Sequence, residues 1–254
     1  MAVPARDPND PHVAPADPRA GDPRGGRHAA ANRQSSRGWH AFREFVLIIV
    51  IALGLSAVVR AFVVQAFYVP SASMEQTLLI NDRIIASRIT TKVSGVARGE
   101  IVVFKDPSTW LPEPPPPPGG PLGWLQQALT FVGVLPSDSG KDLVKRAIGI
   151  GGDRVACCDA EGRIVVNGVP LDEQYIVGPT DQVLFDVEVP QGSVFVMGDN
   201  RGDSRDSRFH LDQDNGSVPV DAVVGRVVVV MWPFDRLGIE RIPEIFGNPA
   251  LDMR

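Results

Sequence analysis

The chain has 254 residues, of which 44% are hydrophobic and 22% charged, and a net charge of −5. Residues 1–64 carry eight Lys/Arg and five Asp/Glu, whereas residues 65–254 carry 17 and 25, and an acidic folded part argues against a nucleic-acid partner. The sequence has no GxxxxGK[ST] pattern and no zinc-ligand spacing, so we expect no cofactor and no metal.

The amino-terminal region combines a polar tail with one long apolar run. Residues 1–40 hold almost no large apolar side chains, so we predict a disordered cytoplasmic tail. Residues 41–64 are predicted to form one transmembrane helix, because the run from Phe45 to Val64 is 20 residues long and a bilayer core needs about that length. Arg60 lies in the last turns, where its guanidinium can reach the head groups. A cleaved secretory signal peptide is the alternative.

The charges around this run predict its orientation. Arg33, Arg37 and Arg43 precede it, and positive charge favours the cytoplasmic side. We therefore expect a single-pass protein of the cell membrane with residues 65–254 outside the cytoplasm. Only Gln65–Val69 separate the run from Pro70, and five extended residues span under about 20 Å. The segment after Pro70 is thus expected near the outer membrane face.

The remainder of the chain is rich in Val, Gly and Pro, which favours short strands over long helices. We predict a mainly β fold of antiparallel sheets for residues 65–254. Asp142–Ile150 is a predicted strand, Val220–Trp232 a central strand, and Phe185–Val189 with Val194–Met197 a hairpin. Further strands are expected at Gln65–Val69, Arg83–Ile89, Glu100–Phe104, Asp153–Cys158 and Arg163–Val166, with a two-residue turn at Asn167–Gly168.

Residues 106–140 differ in character and are predicted to be a Pro-rich insert. Leu122–Leu135 has apolar residues at helical spacing, which indicates a short amphipathic helix. Trp110 and Trp124 would lie either at head-group depth or against the core of the domain.

The two cysteines, Cys157 and Cys158, are adjacent. Alternate positions of a strand face opposite sides, and a bond between neighbours is strained. We therefore predict two separate thiols, one of them buried.

Ser73 is a candidate nucleophile, and a serine hydroxyl needs a base to remove its proton. His210 is the only histidine in residues 65–254, so a triad through it is one possibility. A lysine is the other, provided that burial lowers its pKa. Among Lys92, Lys105, Lys141 and Lys145, the last has the most apolar neighbours, although the local sequence alone favours a lysine at a strand edge with its amine in water.

Two further groups of polar residues could support such a serine. The backbone N–H of Ser73 and the hydroxyl of Ser71 could stabilise an oxyanion. In the polar stretch Gly198–Arg208, the Ser204 hydroxyl could orient a buried amine, while Asp206 and Arg208 pair and stiffen the loop.

Taken together, four ordered motifs resemble those of bacterial type I signal peptidase, and the resemblance covers roughly residues 40–240. The motifs are Pro70–Met74 with Thr77–Leu78, Arg98–Phe104, Lys145–Gly149 and Gly198–Arg208, followed by a closing strand from Gly225 to Pro233. The chain departs from the family pattern in having Gln76 where Pro is common, Ala72 where Gly is frequent and Glu100 where Asp is usual.

The resemblance implies a serine–lysine endopeptidase that removes signal peptides from exported preproteins at the bilayer, after small residues. It makes Ser73 the nucleophile and Lys145 the general base. The residues it implies for positioning and support are Ser204, Asp206, Arg208, Asp199 and Arg146. The substrate would add as a strand beside Phe67, Tyr68, Val69 and Pro70 on one side and Asp142, Leu143 and Val144 on the other. The family's second β domain would be reduced to a hairpin subdomain at residues 153–195.

Two other functions fit the same architecture. The enzyme could cut itself or one dedicated partner. Alternatively, a non-catalytic, membrane-anchored β domain could bind partners by strand addition, but the paired serines and the polar Gly198–Arg208 loop would then have no purpose.

Overall fold

A computed structural model describes residues 27–107, 110–111, 120, 123–125, 141–180 and 182–253. The first 26 residues of the predicted tail lie outside this range, as do most of the predicted insert and most of the helix predicted at Leu122–Leu135. The chain divides into two compact units, residues 1–51 and 52–254.

The first long element is helix α1, Arg27–Phe62. Residues 27–40 of the predicted tail are part of this helix, and no proline follows Pro23 to interrupt it before Phe62. Within α1, the 20 residues Gly38–Ala57 have a mean hydropathy of 1.8 and none of the most apolar window is buried, so the helix is long and apolar enough to cross a membrane. The predicted span ended at Val64, but this residue already belongs to the first strand.

Twelve strands follow in the part of the chain that the structure describes. They are β1 Val64–Tyr68, β2 Arg83–Ser87, β3 Ile101–Lys105, β4 Asp142–Ile150, β5 Arg154–Cys157, β6 Ile164–Val166, β7 Val169–Pro170, β8 Phe185–Glu188, β9 Ser193–Met197, β10 Val218–Pro219, β11 Val223–Trp232 and β12 Gly238–Ile239. Helix α2, Arg88–Ser94, follows β2 and ends the strand two residues before the predicted boundary.

Eight strands form the large sheet, in the order β1-β2-β11-β3-β4-β9-β10, with β12 paired to β11. The valine-rich β11 is central, as predicted, because branched side chains suit a strand that is paired along both edges. All pairings between these strands are antiparallel, which confirms the predicted mainly β fold.

The small sheet has the order β7-β6-β5-β8. Its β6–β7 turn is the predicted one, with φ of 51° at Asn167 and 82° at Gly168, the left-handed values that a two-residue hairpin turn requires. The predicted β8–β9 hairpin is wrong, since β8 pairs with β5 and β9 with β4 and β10. The Phe185 and Phe195 rings stack 5.1 Å apart. The two strands belong to different sheets but pack their apolar residues into the same core.

The cysteine prediction is also wrong, because Cys157 and Cys158 form a disulfide. Strand β5 ends at Cys157, so the alternation of side-chain faces does not extend to Cys158. The peptide bond between them is cis and their Cα atoms are 3.0 Å apart.

Trp110 marks where the predicted insert leaves the sheet. It is buried, packs edge-on against Phe104 at 5.9 Å and stacks on His210 at 4.3 Å, so it belongs to the core rather than to a head-group layer. The Asp106 carboxylate accepts the N–H groups of Trp110 and Leu111. Trp124, further along, is 71% exposed.

Candidate active site

Ser73 lies in a 3₁₀ turn, Ala72–Met74, just after β1. The turn is anchored by Met74 and Leu78, which are buried in the same apolar cluster as Phe67. Only 8% of Ser73 is exposed, and its carbonyl accepts a hydrogen bond from the Asn200 N–H at 3.1 Å. The exposed Ser71 places its Oγ 3.3 Å from that of Ser73.

Lys145 lies in the middle of β4, opposite Val102 of β3. Its side chain is 3% exposed, and its Nζ lies 2.5 Å from Ser73 Oγ and 3.2 Å from the Val144 carbonyl. The structure thus brings together two side chains that are 72 residues apart in sequence.

Burial lowers the pKa of Lys145 from 10.5 to about 8, because the ammonium form loses its hydration. The negative charges of Asp206, Asp199 and Asp203 act in the opposite direction and limit the fall of this pKa. A neutral amine at hydrogen-bond distance from a hydroxyl can accept its proton, which is the requirement for a general base.

A buried ion pair connects the two segments that carry these side chains. Arg146 directly follows Lys145, and its Nε and Nη2 donate to the two carboxylate oxygens of Asp199 at 2.9 and 2.6 Å. The same carboxylate accepts the hydroxyl of Thr77 at 2.5 Å, and Thr77 follows the Ser73 turn. Arg146 also donates to the Gly99 carbonyl at 2.8 Å and lies 4.3 Å over the ring of Tyr175.

A second buried pair shapes the polar loop after β9. Arg208 donates to both oxygens of Asp206 at 2.9 and 3.0 Å, as the predicted pairing requires, and Asp206 also accepts the Gly198 N–H. Gly198 admits no side chain, since a Cβ there would lie 2.4 Å from the Ser73 carbonyl oxygen and 2.3 Å from Ser204 Oγ. The Ser204 hydroxyl is buried and makes no hydrogen bond within the described residues, so the predicted contact with Lys145 is not made in this structure.

The residues predicted to bind substrate lie along two strand edges. Phe67 and Val69 are buried, Pro70 is exposed, and the Tyr68 hydroxyl donates to Asn81. Strand β1 ends the order of the large sheet. The other predicted segment, Asp142, Leu143 and Val144, pairs with β3 alone among the described strands, because β9 joins β4 only from Arg146 onward.

His210 is separate from this arrangement. It is 9% exposed, stacks on Trp110 and has no described hydrogen bond to Ser73. Desolvation lowers its pKa. The geometry therefore gives no support to a triad through His210.

Comparison with known proteins identifies the family to which the chain belongs. The family described as signal peptidase, peptidase S26, matches residues 42–232. Probable signal peptidase I of Mycobacterium leprae is 38% identical over an alignment of 229 positions that covers 78% of this chain and 78% of that protein. The chain belongs to the signal peptidase family.

Other relatives agree with this membership. Signal peptidase I of Mycobacterium tuberculosis is 36% identical and covers 78% of this chain and 75% of its own. Signal peptidase I of Leptolyngbya laminosa is 35% identical, and the match covers 90% of this chain and 92% of that protein. A solved signal peptidase I from Enterococcus faecalis is 24% identical, and the match covers 52% of this chain and 95% of that one with a TM-score of 0.32. Membership in this peptidase family and the apolar helix together indicate a membrane-anchored peptidase.

Several residues of the candidate site in this signal peptidase family member carry no sequence signal strong enough to assign them. Asn200 stands in the polar Gly198–Arg208 stretch, but its bond to the Ser73 carbonyl is visible only in the fold. Glu173 accepts both terminal nitrogens of the buried Arg201 at 2.6 and 2.8 Å and also accepts the Tyr175 hydroxyl. No motif marks Glu173 or Tyr175.

The family departure at Gln76 has a structural counterpart. Gln76 has φ of 83°, in the left-handed region, and proline cannot adopt that value because its ring fixes φ near −65°. The turn behind Ser73 therefore has a backbone conformation here that excludes the proline common in the family.

Proposed function

We propose that this member of the signal peptidase family cleaves amino-terminal signal peptides from exported proteins, with Ser73 as the nucleophile and Lys145 as the general base. One observation carries the proposal, namely the 2.5 Å separation of Ser73 Oγ from a buried Lys145 Nζ. The lowered pKa of about 8 supports it, since an ordinary lysine would hold its proton and could not act as a base.

The reaction proceeds by acyl transfer. Lys145 takes the Ser73 proton as Oγ attacks the scissile carbonyl, and the resulting oxyanion accepts hydrogen bonds from the Ser73 N–H and the Ser71 hydroxyl. Collapse of this intermediate breaks the C–N bond, and the Lys145 ammonium protonates the departing amine. Lys145 then activates a water that hydrolyses the ester and frees Ser73.

The neighbouring residues hold this pair in place. Asp199 and Arg146 tie the Lys145 strand to the Ser73 turn, and Asp206 with Arg208 fixes the loop that carries Ser204. The buried Ser204 hydroxyl lies near the Ser73 carbonyl and has no hydrogen-bond partner among the described residues. It could therefore accept a hydrogen bond from the Lys145 ammonium.

The substrate binds as an extended strand between two edges. One is Phe67, Tyr68, Val69 and Pro70, and the other is Asp142, Leu143 and Val144, the stretch of β4 that pairs with β3 and that β9 does not reach. Backbone pairing would supply affinity, and small pockets would reject large side chains one and three positions before the cut. The tail would be cytoplasmic, and residues 65–254 would form the extracytoplasmic catalytic domain at the bilayer.

The proposal is tested with full-length protein in detergent and two unrelated exported precursors. Wild type is expected to cleave both after a small residue, and Ser73→Ala is expected to cleave neither, because alanine cannot form the acyl ester. Mass spectrometry of the products locates the cut. If the protein cuts only itself, it is a self-processing protein. If neither precursor nor the protein itself is cut, the result favours the non-catalytic strand-binding domain.

Activity is expected to depend on pH through Lys145. Its amine accepts a proton only when neutral, so kcat/KM should rise with pH through a pKa of about 8 and fall roughly tenfold per pH unit below it. Measuring kcat/KM for one precursor peptide from pH 6 to pH 10 checks this. A rate that stays constant from pH 9 down to pH 6 would contradict the assignment of Lys145 as base.

A further inference from the structure

The carboxyl-terminal segment Glu240–Met253, which we call the C-terminal strap, follows β12 and lies beyond residues 42–232 matched by the family. It contains two 3₁₀ turns, Glu244–Gly247 and Pro249–Asp252. Its contacts lead to Arg146, the residue next to Lys145.

The end of the strap is anchored in the core. Leu251 is fully buried in the apolar cluster that contains Ile148 of β4, and its carbonyl accepts the Asn167 side-chain amide at 2.7 Å. Asp252 accepts Arg98 Nη1 at 2.7 Å. A segment tied by both a buried side chain and polar contacts has a defined position.

The middle of the strap covers Gly99. A Cβ at Gly99 would lie 2.5 Å from Phe246 Cδ2 and 2.7 Å from Ile242 Cγ2, so the two side chains pack directly on this backbone. The Gly99 carbonyl is the acceptor for Arg146 Nη1. The Phe246 ring also lies 6.5 Å from that of Tyr175, on which the Arg146 guanidinium stacks.

The start of the strap contacts Arg146 itself. Glu240 Oε1 lies 3.8 Å from Arg146 Nη2, and its side chain is only 18% exposed. The Glu240 N–H donates to the Val228 carbonyl of β11 at 3.0 Å, which fixes the backbone from which the carboxylate reaches Arg146. Desolvation raises the pKa of Glu240, and Arg146 opposes that rise.

Arg146 has five partners among the described residues, and all of them except Asp199 and Thr77, whose hydroxyl lies 3.5 Å from Arg146 Nη2, involve the strap. Glu240 belongs to the strap, Gly99 is covered by it, and Tyr175 is packed against it. We propose that the C-terminal strap positions Arg146, and through the Arg146–Asp199 pair the Ser73–Lys145 dyad, with Glu240 as its positioning residue. This inference rests on the proposed dyad but assigns a role that the dyad itself does not require.

The test compares Glu240→Gln with Glu244→Gln in the full-length protein. Glu244 lies in the same strap but is exposed, so its substitution controls for a loss of charge in the segment. Glu240→Gln is expected to lower kcat for a precursor peptide about tenfold with KM unchanged, because small displacements of catalytic groups cost rate rather than binding. Glu244→Gln should match wild type, and the apparent Tm of all three should agree within a few degrees.

A double-mutant cycle separates positioning from a general loss of packing. If Glu240 acts through Arg146, adding Glu240→Gln to Arg146→Lys should lower kcat less than twofold further, whereas independent effects would multiply. The inference is overturned if Glu240→Gln keeps the wild-type kcat, or if its full effect persists beside Arg146→Lys.

A second substrate keeps this result apart from the proposed function. The p-nitrophenyl ester of N-acetylalanine reports acylation of Ser73 without any precursor, through release of nitrophenolate. If the wild-type enzyme hydrolyses the ester but does not cleave precursors, the proposed function fails. The ester rate of Glu240→Gln relative to wild type would still decide whether the strap positions the dyad. Equal ester rates for wild type and Glu240→Gln would show that the strap does not position the dyad.

Discussion

Lys145→Met is expected to reduce kcat/KM for precursor cleavage by about 10⁴-fold, because methionine fills the same buried volume but cannot accept the Ser73 proton. The Ser73 hydroxyl would keep its place in the Ala72–Met74 turn and lose only its base. Residual activity should no longer change with pH around 8.

The same substitution is expected to raise stability. The folded-state pKa of Lys145, about 8, lies below the 10.5 of the unfolded chain, so the unfolded chain binds the proton more tightly. Wild-type stability should therefore increase as pH rises from about 8 to about 10.5, and below pH 8 the fold carries a constant penalty on the order of 3 kcal/mol. Methionine removes this penalty at the cost of one hydrogen bond worth about 1 kcal/mol.

Thermal unfolding in detergent at pH 7, together with peptide cleavage, measures both effects. Lys141→Met is the matched control, since Lys141 is exposed four residues earlier and should affect neither quantity. A Lys145→Met protein that still cleaves within tenfold of wild type would remove Lys145 from the mechanism.

Asp199→Asn is expected to be the most damaging change outside the dyad. Asp199 and Arg146 have side-chain exposures of 0% and 1%, and loss of the Asp199 charge leaves the buried guanidinium with only the more distant Glu240 carboxylate, 3.8 Å away. Breaking such a pair costs about 3–5 kcal/mol, which corresponds to a fall in apparent Tm of about 10 °C. Cleavage should fall as well, because the same carboxylate holds Thr77 behind the Ser73 turn.

Asp186→Asn provides the comparison for this prediction. Its partner is Arg154 at 2.6 Å, the same distance as in the Arg146–Asp199 pair, but the two side chains are 49% and 72% exposed. An ion pair in water contributes less than about 1 kcal/mol, so this variant should unfold and cleave like wild type. Equal loss of stability in the two variants would show that burial is not what makes Asp199 important.

Local sequence was sufficient where neighbours along the chain determine the structure. Strand β4 has the predicted bounds, Asp142–Ile150, because an apolar, branched run ends there at a Gly-Gly turn. The Asn167–Gly168 turn was predictable for the same kind of reason, since few residues tolerate its left-handed backbone. Ser73 and Lys145 could be proposed as a pair only through the resemblance of ordered motifs.

Contacts between distant segments were not predictable. Glu173 and Glu240 look like ordinary surface acids in an acidic domain, and only the fold shows that they face Arg201 and Arg146. The assignment of β8 and β9 to different sheets also depends on packing, because either strand could have paired with the other across Pro190–Gly192. The hydrophobicity of Trp110 did not show whether its ring would face lipid or pack inside the domain, where it stacks on His210.

The junction between β3 and β4 has a consequence for how this chain can vary. The Asp106 N–H donates to the Lys141 carbonyl at 2.8 Å, and Lys105 pairs with Asp142, so the two ends of the intervening segment are closed against each other. For a flexible loop with fixed ends, doubling the length costs only about 0.6 kcal/mol of closure entropy. A tag or foreign loop inserted between Leu111 and Lys141 is therefore expected to leave the separation of the hydroxyl and amine across the sheet unchanged, provided that Trp110 keeps its place in the core.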